Sequence, residues 1–141
     1  MNMADRPARR PTTISPELKQ RLDVASRALL AVHKALLDHE RARYEREHGP
    51  VPSSGQMLQL VIHDPHFAWL HPLSTAIVRL DELATSTDPS GPADAEAELK
   101  SVAAMVRPDL QGSEFNRRYH RLLQESATIA QADTAWRAVV G

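Results

Sequence analysis

The stretch SPELKQRLDVASRALLAVHKALLDHERARYEREHGP, residues 15–50, carries one uninterrupted helical signature. Leu18, Leu22, Ala25, Leu29, Val32 and Leu36 recur at spacings of four and three, which places them in a single apolar stripe along a rod of 3.6-residue period. Ser15 is suited to cap the first amides, Pro16 to occupy the first helical position, and Glu17 to face the positive end of the dipole. Arg41, Arg43 and Arg46 stand near the negative end, and Gly49-Pro50 stops the helix. At about 1.5 Å per residue such a rod is about 50 Å long. Its stripe needs partners along that whole length, and Leu30 and Leu37, beside the stripe, widen the face to be covered.

The remainder of the chain supplies shorter helices. Ser53 with Gln56 three residues on forms a capping box, followed by Met57, Leu58, Leu60, Val61 and Ile62, apolar on several sides and therefore predicted to be buried. Asp64-Pro65 restarts the helix and Pro72 interrupts it again, because proline has no N–H for the bond to residue 68. Residues 54–86 are thus expected as two or three pieces with kinks. Ser86–Ala93, with Pro89, Gly91 and Pro92, is a linker. Ala95, Leu99, Val102 and Val106 mark a helix that Pro108 ends, and Ser113 with Asn116 opens the last one. There Phe115, Tyr119, Leu122, Ser126, Ile129, Asp133, Trp136 and Val140 fall on one heptad seam, predicting a single helix to the C-terminus. The polar Ser126 and Asp133 on that seam argue for packing against other helices and against a long coiled coil. No alternating strand pattern occurs. The expected fold is all-α: a bundle of four or five helices with a proline-kinked central segment, spanning 15–141 as one domain behind a disordered arm at 1–14.

Composition agrees. Aromatic residues make up only 4% of the 141, so Leu, Val, Ile and Ala must fill the core, which suits helix-on-helix packing. The absence of cysteine excludes disulfides, thiolate metal sites and cysteine nucleophiles and is compatible with a reducing compartment. The N-terminus lacks the apolar centre of a signal peptide, and no apolar run is long enough to span a membrane, so a cytoplasmic location is expected. The net charge of −1 favours neither nucleic acid nor an acidic partner. Arg6, Arg9 and Arg10 in the arm have no aromatic among them to stack on bases, and nucleic acid is not an expected partner.

The segment richest in chemistry is His63-Asp64-Pro65-His66-Phe67-Ala68-Trp69-Leu70-His71-Pro72. His63, His66 and His71 are candidate ligands for a metal ion or haem, with Asp64 in support. On a straight helix, however, His63 and His66 stand about 60° apart and His66 and His71 about 140° apart, so three imidazoles meet only if the prolines fold them together. The other reading makes Phe67 and Trp69 a packed aromatic anchor, with the histidines capping carbonyls or facing water. No cofactor is required by that second reading. If the Trp69 ring is core, its truncation to alanine costs about 3–5 kcal/mol.

Catalytic templates fail. Glu45 and His48 make one Glu-x-x-His pattern, half of a di-iron carboxylate signature, and no second copy exists. There is no phosphate-binding glycine loop, nucleophile elbow or His-Glu-x-x-His. Tyr119-His120 beside Arg117, Arg118 and Arg121 makes a small basic turn able to meet an anion or to lie solvated.

Residues 60–83, LVIHDPHFAWLHPLSTAIVRLDEL, resemble small uncharacterised bacterial proteins with an Asp-Pro-x-Phe-x-Trp-Leu-x-Pro-Leu stretch ahead of an apolar helix; Asp64, Pro65, Phe67, Trp69, Leu70, Pro72 and Leu73 carry the likeness. It implies a helical fold and a bacterial source and no activity. The sequence therefore supports a non-catalytic helical interaction or regulatory module, binding a protein partner or itself as a homodimer. The alternative is a metal- or haem-binding helical protein using the 63–71 histidines.

Overall fold

In the computed structural model, which describes residues 13–140, helix α1 runs Pro16–His48 and buries Leu18, Leu22, Ala25, Leu29, Val32 and Leu36 on one side. Ser15 Oγ accepts from the Leu18 amide at 3.1 Å, and Gly49 closes the other end at φ 87°, a left-handed conformation that side chains resist. The stripe does not end at Leu36. Glu40, the next position in register, is 2% exposed.

Five more α-helices follow: α2 (Ser54–His63), α3 (His71–Ala84), α4 (Gly91–Met105), α5 (Glu114–Glu125) and α6 (Ala127–Val140). A 3-10 segment, Pro65–Leu70, joins α2 to α3, so residues 54–84 form three pieces as their prolines demand. The described residues contain no strand. Helix α1 is the axis of the packing, meeting α3 and α6 along its length and α4 more briefly. Leu22, Leu29, Leu36, Leu73, Leu80, Ile129 and Trp136 are fully enclosed there. The residues expected as an N-terminal arm lie outside the described residues as far as position 12. Ile14, assigned to that arm, packs instead against the core, with its Cδ1 close to Gly91.

Two sequence expectations need correction. First, the C-terminal helix is two. Ser126 takes extended backbone (φ −136°, ψ 117°), ends α5, and its Oγ accepts from the Ile129 amide at 3.2 Å. A seam serine is here an N-cap, a role for which its competing side-chain oxygen suits it. Second, α2 is not buried. None of its residues falls in the buried class, Leu58 and Ile62 stand 56% and 48% exposed, and α2 adds no residue to the hydrophobic core or its fringe. Trp69 is half-buried and packs against the core, whereas Trp136 is fully enclosed.

Asp133, the other polar seam residue, is 1% exposed and engaged on both sides. Tyr119 Oη donates to its Oδ1 at 2.7 Å, and Arg137 Nε lies 2.8 Å from Oδ2. Burial, reinforced by this carboxylate, pushes the Tyr119 hydroxyl far above its ordinary pKa and keeps it a donor. Asn116 completes a full capping box with Ser113, and its Nδ2 also donates to the carbonyls of Ala104, Met105 and Arg107. One side chain thus closes α4 and opens α5.

On the outer seam between α1 and α3, Ser26 Oγ donates to Asp81 at 2.7 Å and His33 Nε2 lies 3.1 Å from Ser74 Oγ. Burial pushes the His33 pKa below its usual 6.5. The unfolded chain then binds more protons than the native one between the two values, so stability is full above about pH 6.5 and falls as pH drops through the native pKa. His33→Gln should flatten this dependence. Urea midpoints of wild type and variant, compared between about pH 7 and pH 5, measure it; equal acid losses in both would remove His33 as a contributor.

Candidate functional site

The 63–72 segment owes its shape to one side-chain cap and two prolines. Asp64 Oδ1 accepts from the His66 amide at 2.8 Å and starts the 3-10 turn with Pro65 in its first position; Pro72 stands in the first turn of α3, where a missing N–H is harmless. The turn drives Phe67 and Leu70 into the core, 0% and 1% exposed.

The three imidazoles are not brought together. His66 Nε2 lies 2.9 Å from the Glu40 carbonyl oxygen, and His71 Nε2 lies 2.7 Å from the Val61 carbonyl oxygen, one of the α2 terminal carbonyls that lack a partner within their own helix. A carbonyl only accepts, so each Nε2 carries the proton it donates. His63 is exposed on the wall of a groove of about 530 Å³ between the end of α1 and α2, which Tyr44, His48, Val51 and Asp64 also line. Among the described residues no group of three His, Cys, Asp or Glu side chains is arranged to hold a metal ion. His63, His66 and His71 do not converge, because the turn directs two of them to carbonyls of different helices.

What the turn does assemble is a buried polar centre on Glu40. Trp69 Nε1 donates to Glu40 Oε1 at 3.1 Å, Arg43 approaches the same oxygen at 3.4 Å, and His66 Nε2 lies 3.6 Å from it. On the other side His39 Nδ1 is 3.6 Å from Glu40 Oε2, while His39 Nε2 is 3.5 Å from Glu125. His39 Nδ1 is buried and has no hydrogen-bond partner. The Trp69 ring packs 5.2 Å from Phe115 and carries the Arg118 guanidinium 5.4 Å above it. Glu40 was missed in the sequence, although its signal is there: a carboxylate four residues beyond Leu36, where the stripe calls for an apolar side chain.

A second candidate feature is α2 itself. Its ten residues, SGQMLQLVIH, include no Asp, Glu, Lys or Arg, and Leu58 and Ile62, one turn apart, both point to solvent. On the α1–α3 seam, Leu30 and Val78 are also exposed, 54% and 55%, each falling in helical register between the residues of the Ser26–Asp81 and His33–Ser74 contacts. No helix among the described residues is long and apolar enough to cross a membrane. No family model, no curated protein and no solved structure matches this chain.

Proposed function

We propose that the chain is a non-catalytic helical interaction module whose docking element is α2 and whose partner is a second copy of itself. One observation carries this reading: among the described residues, the α-helix without a single charged side chain among Asp, Glu, Lys and Arg is also the one with no buried residue. Ten residues are too few for a helix to persist alone in water, and α2 has little tertiary burial to hold it. A covering partner supplies what is missing. In a two-fold dimer the same patch meets itself, and a face free of charge meets its copy without like-charge repulsion. In this reading α1, α3, α4 and α6 form a four-helix bundle, and the proline-kinked segment between α1 and α3 serves to hold α2 outside it. The missing cysteines fit a cytoplasmic setting for such a module.

Light scattering on the purified chain at micromolar concentration should return twice the mass of one chain. Leu58→Lys with Ile62→Lys should return a single-chain mass with an unchanged helical circular dichroism spectrum. A wild-type monomer overturns the dimer. A double variant that stays dimeric overturns the role of α2 and moves the contact to the seam around Leu30 and Val78.

A further inference from the structure

Between α1 and α5 lies a cleft of about 190 Å³ whose polar lining is His39, Glu40, Arg43, Trp69, Arg118, Arg121 and Glu125. Three guanidinium groups from two helices surround it. The volume is below that of pockets for drug-sized ligands, so its occupant is small. We propose that this cleft binds a phosphate group, either free inorganic phosphate or the head of a small phosphate monoester.

The balance of partners within the cleft supports an anion. Glu40, at its floor, is already engaged by Trp69 Nε1 and by Arg43. Glu125 stands at the rim, its side chain 57% exposed and drawn toward His39 Nε2. Glu114 meets Arg118 at 3.3 Å with its side chain 68% exposed, where solvent and salt weaken the attraction. Arg121 has no carboxylate within 4 Å among the described residues, and Arg118 is held in place by the Trp69 face. His39 Nδ1, buried without a partner, is a polar atom that an incoming hydroxyl or oxygen satisfies. A tetrahedral group accepts guanidinium hydrogen bonds from several directions, as side chains on two helices require, and each fork presents paired donors.

Isothermal titration of the full chain with inorganic phosphate, against chloride at matched ionic strength, tests this. Saturable binding is expected in wild type. Arg121→Gln and Arg118→Gln should each weaken it by about tenfold or more, the effect of removing a hydrogen bond to a charged group. Arg117→Gln, whose guanidinium donates to the Gly112 carbonyl outside the cleft, should bind as wild type does. A glucose 6-phosphate arm separates the sources: tighter binding than inorganic phosphate assigns the monoester, weaker binding the free ion. Absence of saturable binding in wild type, wild-type affinity in Arg121→Gln, or binding of succinate in preference to both phosphates overturns the proposal.

Discussion

Trp136→Ala should lower the free energy of unfolding by about 3–5 kcal/mol, read from urea denaturation. The ring is fully enclosed, and its Nε1 donates at 3.1 Å to the carbonyl of Val106, the residue that caps α4. Truncation therefore opens a cavity on α6 and leaves a terminal α4 carbonyl without its donor. The two losses separate in Trp136→Phe, which keeps most of the volume and removes the N–H. That variant should lose about 1–2 kcal/mol, the range for a buried hydrogen bond. An alanine variant at 136 that loses less than about 1 kcal/mol would mean that α6 repacks freely, and the enclosure described for Trp136 would not hold in solution.

The helices were largely legible because burial along a rod is periodic. The stripe from Leu18 to Leu36, the Ser15 and Ser53 caps, the Gly49 stop and the restart at Asp64-Pro65 all follow from local chemistry that needs no partner. What stayed hidden depends on partners distant in sequence. Asp133 and Glu40 both occupy inward-facing register positions, yet nothing near them announces Tyr119, 14 residues away, or Trp69, 29 residues away. Ser126 has the same ambiguity in a different form: a polar residue on a seam can face a partner, face water or cap a new helix, and periodicity scores all three alike. For α2 the failure runs the other way. Its apolar residues predicted burial, but apolar content reports a tendency to be covered and not which surface covers it. The histidines of 63–71 were legible as a cluster in sequence and not as a set in space, since the 3-10 turn directs His66 to α1 and His71 to α2.

Trp69→Phe should destabilise the protein by about 2–4 kcal/mol, more than the loss of one neutral hydrogen bond, because it strips the closest donor from a buried carboxylate. The Glu40 side chain is 3% exposed, and without the indole N–H it keeps Arg43 at 3.4 Å and the imidazoles of His66 and His39, each at 3.6 Å. Replacing both residues, Trp69→Phe with Glu40→Leu, removes the charge along with its partner and should recover stability relative to Trp69→Phe alone. Buried ion-containing centres behave this way when apolar side chains of similar size replace them, since the desolvation of the carboxylate is no longer incurred. The cycle of wild type, two single variants and the double variant should therefore show a coupling energy of about 1–3 kcal/mol. Additive losses would mean that Glu40 reaches water in solution and does not depend on Trp69. The measured coupling also bears on why a turn so rich in polar groups sits against α1. The indole–carboxylate bond ties the 3-10 segment, into which α2 leads directly, to the long helix.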